Sequence, residues 1–101
     1  MNINIKIPEE CSTLTDVRAE IDRIDRSIVN LMSVRFEYVK EVVKYRVSGS
    51  KSEYDHTRYL NMLNERAQWA NEAGLNGEAI KNVFKLMVDY FIEEQKLIAN
   101  K

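Results

Sequence analysis

Apolar residues recur at alternating steps of three and four along the first part of the chain: Leu14, Val17, Ile21, Ile24, Ile28 and Leu31. That period marks one face of a helix. The same alternation continues onto Arg35, Tyr38, Val42 and Tyr45, so an unbroken helix is predicted from about 13 to 47. Its start lies near Ser12 or Thr13, with Asp16 in the first turn, where an anion suits the helix dipole. A second stripe, Leu60, Leu63, Ala67 and Ala70, predicts a helix over about 55–73, closed by Gly74 in the left-handed position after its end. A third, Ile80, Phe84, Met87, Phe91 and Ile98, predicts a helix over about 77–98. Residues 48–54, within the polar stretch "SGSKSEYD", read as a loop, and "LNGE" joins the last two helices. Strand signals are absent. The expectation is an all-α chain with three helices in a single domain over 1–101.

The first helix is too long for the rest of the chain. Some 34 residues at 1.5 Å each reach ~50 Å, whereas a compact chain of this length has a radius of gyration of only ~13 Å. Two helices of roughly 20 residues cannot cover such a stripe. The excess has to be buried on another chain, which predicts an obligate, intertwined homodimer.

Composition narrows the partners. Fifteen basic and sixteen acidic residues leave a net charge of −1, which argues against a nucleic-acid footprint or a polybasic membrane patch. The lone Cys11 allows no internal disulfide, and no clustered His or Asp joins it in a metal set. No apolar run approaches the ~18 residues of a membrane span, and the N-terminus lacks a signal-peptide pattern. A soluble cytoplasmic protein is expected. The single histidine, His56, falls at a loop–helix junction and reads as a surface residue. There is no nucleophile–base pair and no glycine-rich phosphate loop.

Polar residues intrude on the apolar faces. Arg35 stands where the first stripe calls for leucine, with Arg18 and Arg46 on its flank, and Gln95 falls on the stripe of the third helix. Each has a structural reading. Arg18 can snorkel at a dimer rim, Arg46 can complement a helix C-terminus, Arg35 can belong to an ion pair, and Gln95 can bond a backbone carbonyl. A buried cation without a partner costs several kcal/mol. Arg18 and Arg35 lie ~25 Å apart along one helix, so one small ligand cannot touch both within a chain. Two antiparallel copies of the helix would bring Arg18 of one chain towards Arg35 of the other. Two converging guanidinium forks in an apolar pocket suit a small dianion, one carboxylate to each fork. An enzyme built this way would work by positioning and electrostatics more than by proton shuttling.

The stretch "LTDVRAEIDRIDRSIVNLMSVRFEYVKEVVKYR" resembles the first helix of the all-helical chorismate mutase family, whose opening reads L-x-x-[LI]-R-x-x-I-D-x-[IL]-D and which closes on an arginine and, eleven residues later, a lysine. "ERAQWANEAGL" and "YFIEEQ" are most similar to the isochorismate-pyruvate lyase branch of that family. The resemblance runs from about Pro8 to Ile98. It implies that Arg18 comes from the partner protomer to bind one carboxylate, and that Arg35 binds the other. By the same resemblance Arg46 takes the place of the lysine at the ether oxygen, Gln95 bonds the same region, Arg58 contributes to the site, and Asp55 helps to bind the ring hydroxyl.

Several positions depart from the family pattern. Arg46 offers a planar fork where the family has a point-like ammonium, and Lys44, two residues away, is the other candidate cation. Tyr59 stands where mutases carry a glutamate that contacts the C4 hydroxyl of chorismate, and Phe91 where they often carry serine. Both changes favour the lyase. The implied reaction is pericyclic: hydrogen moves from ring C2 to the enolpyruvyl methylene as the C–O bond breaks, giving pyruvate and salicylate without a cofactor or metal. Such salicylate would serve siderophore synthesis. The same pocket could also hold chorismate and convert it to prephenate as a weak side activity. The alternatives are a chorismate mutase, a mutase of 4-amino-4-deoxychorismate, and a non-catalytic helical dimer serving as an interaction module. The loop after Arg46 would close over the bound dicarboxylate.

Overall fold

A computed structural model describes residues 6–42 and 56–99, with side chains described to residue 97. Among these residues there are three α-helices and no strands: α1 (Leu14–Val42), α2 (His56–Glu72) and α3 (Gly77–Ala99), preceded by a short 3-10 turn at Pro8–Glu10. The all-α class read from the sequence is what the chain adopts. Residues 43–55, which include the expected end of the first helix, the loop and Asp55, lie outside the described residues. None of the three helices is long and apolar enough to cross a membrane. The chain divides into two compact units, Met1–Val39 and Lys40–Lys101.

In the first unit, α1 begins with a reciprocal cap. The Asp16 backbone N–H donates to Thr13 Oγ1 at 3.1 Å, and the Thr13 N–H donates back to Asp16 Oδ2 at 3.2 Å. Asp16 Oδ2 also accepts the Ser12 N–H at 3.0 Å. These bonds satisfy donors that the first helical turn leaves without partners. They also hold the Asp16 carboxyl below its ordinary value of 3.8, the Ser12 N–H contributing most. A carboxyl that titrates lower when folded stabilises fully above its unfolded pKa, and that contribution disappears as pH falls through the lowered folded value. Asp16→Asn is therefore expected to lower Tm at pH 7, with the gap to wild type closing as the pH drops below 3.8; melts followed by circular dichroism check this.

The stripe of α1 is open. None of its residues is buried, and Val17, Ile21, Ile28 and Leu31 keep 40–50 % of their surface exposed. Only Ile24 among the expected positions is half-buried, as is Arg35 beyond them.

In the second unit, α2 and α3 form a hairpin. Helix α2 ends as expected at Gly74, whose φ of 84° is open to glycine at no steric cost. The Leu75 N–H reaches back to the Ala70 carbonyl at 2.8 Å and the Gly74 N–H to the Asn71 carbonyl at 3.1 Å, the pair of bonds that closes a helix on a left-handed residue. Asn76 then caps α3 by accepting the Ala79 N–H on its Oδ1 at 2.9 Å. Asn71 ties the two helices together, its Oδ1 taking the Gly77 N–H at 2.8 Å. A Cβ on Gly77 would lie 2.7 Å from the Ala67 carbonyl oxygen and 2.7 Å from Asn71 Oδ1. Gly77→Ala is thus expected to lower Tm further than Gly74→Ala. The latter meets open space and carries only the left-handed backbone penalty of ~1–2 kcal/mol.

The hairpin core consists of Met62, Leu63, Ala70 and Phe91, each at most 6 % exposed, with Ile80, Phe84 and Met87 half-buried around it. Three of the four residues expected on the inward face of α2 are on it, Leu63 and Ala70 buried and Ala67 half-buried; Met62 joins them, whereas Leu60 is 45 % exposed. Tyr59 and Arg66 share that inward face, half-buried. Both carry polar ends, and the Tyr59 hydroxyl meets Asp89 on α3, so a pattern of apolar residues alone does not mark them.

Candidate active site

The two units carry different parts of the expected constellation. Helix α1 presents Arg18, exposed, and Arg35, half-buried, on one continuous element. The ~25 Å of helix between them leaves the single-chain geometry as the sequence implies: these two cations do not converge on one ligand along α1. The hairpin carries Arg58 in the first turn of α2, exposed, and Gln95 near the end of α3, half-buried. Both lie towards the open end of the hairpin, away from the connector at Gly74. Arg46, Lys44 and Asp55 fall outside the described residues.

One interaction at that open end was not anticipated from the sequence. The Tyr59 hydroxyl on α2 donates to Asp89 Oδ1 on α3 at 3.2 Å, and Lys85 Nζ, one turn earlier on α3, bonds Asp89 Oδ2 at 3.1 Å. Burial, then the hydrogen bond to Asp89 and its negative charge, push the Tyr59 phenol above its usual value. His56 stacks against the Tyr59 ring at 6.3 Å with 22° between planes. The Lys85–Asp89 half was visible as an ordinary i,i+4 pair. Its link to Tyr59 joins residues 30 apart, which no helical periodicity connects.

Elsewhere on α2, the Arg66 guanidinium lies 4.4 Å from the centre of the Trp69 ring and pairs with Glu65. This packs the half-buried Arg66 side chain against an exposed aromatic. Cys11 is half-buried and unbridged. Among the described residues, no three metal-ligating side chains are grouped, and no buried side-chain nitrogen or oxygen lacks a partner.

Comparison with known proteins gives this arrangement a context. A family model described as chorismate mutase type II matches residues 17–96, a span that opens one residue before Arg18 and closes one after Gln95. Over 91 residues, 90 % of this chain and 89 % of the relative, the sequence is 37 % identical to an isochorismate pyruvate lyase of Pseudomonas aeruginosa. It is 33 % identical over 72 residues to the T-protein of Haemophilus influenzae, covering 71 % of this chain and 19 % of that protein. A bifunctional chorismate mutase/prephenate dehydratase of Buchnera aphidicola is 26 % identical over 88 residues, 87 % of this chain and 23 % of that one.

Proposed function

The chain belongs to the type II chorismate mutase family, and on that premise we propose that it is an isochorismate-pyruvate lyase, releasing pyruvate and salicylate from isochorismate. The observation that carries this reading is the 37 % identity that extends over 90 % of this chain and 89 % of the lyase. The T-protein and the bifunctional mutase match only over 19 % and 23 % of their own lengths. The Tyr59 hydroxyl also supports it: donated to Asp89, it takes the place of the glutamate acceptor by which, on the resemblance, a mutase holds the C4 hydroxyl of chorismate.

The reaction balances within the substrate. One hydrogen passes from ring C2 to the enolpyruvyl methylene while the ether C–O bond breaks, and the ring becomes aromatic. No water, acid or electron acceptor enters. The catalyst's work is to hold a flexible dicarboxylate in a reactive pose and to stabilise charge growing on the departing enolpyruvyl oxygen. In the proposed site Arg35 grips one carboxylate and the partner's Arg18 the other, in a homodimer whose protomers share two sites. Arg46 and Gln95 face the ether oxygen, while Arg58 and Asp55 complete the contacts to the ring and its substituents. The protein would work in the cytoplasm.

The test is product analysis. Purified protein is given isochorismate and chorismate separately and the products are separated by chromatography. Salicylate and pyruvate forming from isochorismate faster than prephenate from chorismate support the lyase; prephenate alone overturns it. The second reading, a chorismate mutase, draws on the Buchnera relative whose name carries that activity. Either reading predicts that a bicyclic dicarboxylate mimic of the mutase transition state raises Tm, because a ligand bound only by the folded protein stabilises it by mass action. At a hundredfold excess over Kd the gain is about 2.7 kcal/mol; an unchanged melting curve at saturating concentrations counts against both and favours a non-catalytic module.

A further inference from the structure

The α2–α3 hairpin is fastened at two places. Near the connector, Asn71 binds the start of α3 and Gly77 lets the two backbones meet closely. The second fastening is the Tyr59–Asp89–Lys85 set at the open end, ~18 Å further along α2. Of the buried apolar side chains, Met62, Leu63 and Ala70 lie between the two fastenings, and Phe91 lies just beyond the second. Two antiparallel helices held only at their closed end can splay at the other. Tyr59 directly follows Arg58, and Asp89 lies six residues before Gln95, ~9 Å along α3. The fastening therefore lies just inside both site residues that the hairpin contributes, which stand beyond it towards the open end.

We propose that Tyr59, through Asp89 as held by Lys85, is a positioning residue that fixes the first turn of α2 against α3 and so sets where Arg58 stands relative to Gln95. This rests on the proposed function for the role of Arg58, but the clasp itself can be measured without substrate. Its chemistry suits the task. The carboxylate is held from its own helix by the Lys85 ammonium on one oxygen, which leaves the other directed to the phenol on the neighbouring helix. A hydrogen bond to a charged acceptor is also among the stronger ones a side chain makes. The stacked His56 ring backs the Tyr59 ring, restricting the side chain that bears the hydroxyl.

The test combines hydrogen exchange with steady-state kinetics on Tyr59→Phe, which keeps the ring and removes the hydroxyl. Amides of residues 60–63, inside the first full turns of α2, are expected to exchange about tenfold faster in the variant, through local opening at that end of the hairpin. Amides near Gly77 should be unaffected. In kinetics KM should rise about three- to tenfold with kcat changed less, the pattern expected when a binding contact is loosened. In an Arg58→Ala background, Tyr59→Phe should have no further effect on KM, because the contact it positions is already gone. Asp89→Asn keeps an acceptor oxygen but loses the charge and the Lys85 pair, so it should fall between wild type and Tyr59→Phe, whereas Asp89→Ala should match Tyr59→Phe. Unchanged exchange at 60–63 overturns the clasp. Faster exchange with unaltered KM, or an equal effect of Tyr59→Phe with and without Arg58, overturns its positioning role. Wild-type protein inactive on both isochorismate and chorismate overturns the functional reading instead, and the exchange experiment then decides the clasp alone.

Discussion

Arg35→Ala is expected to reduce kcat/KM on isochorismate by roughly a hundredfold to a thousandfold, the scale of losing one preorganised donor, and to raise KM as well. Arg35 is half-buried on the apolar stripe of α1, and in the proposed site it holds a carboxylate in both ground and transition states. A contact of that kind affects binding and turnover together. Arg46→Ala should behave differently. Its proposed role is confined to charge that appears on the ether oxygen as the bond breaks, so kcat should fall about a hundredfold or more, ~3 kcal/mol, with KM little changed. Arg46→Lys, which restores the ammonium usual in the family, should keep most of the activity. The decisive comparison is with Lys44→Ala: loss of kcat there, with Arg46→Ala near normal, would move the catalytic cation by two residues and turn the end of the first helix by more than half a turn.

The elements of this fold were legible where one residue dictates local geometry. Gly74 closes α2 because it can take a φ of 84°, and the cap at Thr13 follows from a hydroxyl three residues ahead of Asp16. The direction in which a helix faces was less legible. On α2 the apolar stripe was right at Leu63, Ala67 and Ala70 but wrong at Leu60, because half-buried Tyr59 and Arg66 and buried Met62 widen the face to the other side. Gly77 read as the start of a helix, yet its second role, admitting the Ala67 carbonyl and the Asn71 side chain, depends on how closely two helices approach. The candidate site follows the same division. Arg35 and Gln95 stand out because they interrupt an apolar period, and both are half-buried. The Tyr59–Asp89 bond is invisible to that method, since it joins residues 30 apart on two different helices.

Sedimentation at low micromolar concentration is expected to give about 24 kDa, twice the 11.8 kDa of one chain, and Ile28→Glu is expected to abolish that species together with activity. Leu14, Val17, Ile21, Ile28, Leu31 and Val42 keep 40–62 % of their surface exposed. Full burial of such a side chain is worth roughly 1.5–3 kcal/mol, about half of which is still to be gained here. Twelve of them across a symmetric pair therefore offer about 9–18 kcal/mol, against an association cost of ~4–15 kcal/mol. The balance favours a dimer, though not by so much that it survives a large penalty. Glu at position 28 introduces one such penalty per copy, because two-fold symmetry repeats it, and an unpaired buried carboxylate costs several kcal/mol each time. Activity should be lost at the same point, since each proposed site takes Arg18 from one protomer and Arg35 from the other. Mixing Arg18→Ala with Arg35→Ala protein separates this from simple unfolding. A mixed dimer holds one site with both arginines intact, so up to a quarter of the wild-type activity should return if subunits exchange freely and neither variant alone is active. Failure to recover any activity despite exchange, or a well-folded helical species of about 12 kDa, equivalent to the 11.8 kDa of a single chain, with full turnover, would mean that each chain builds its site alone.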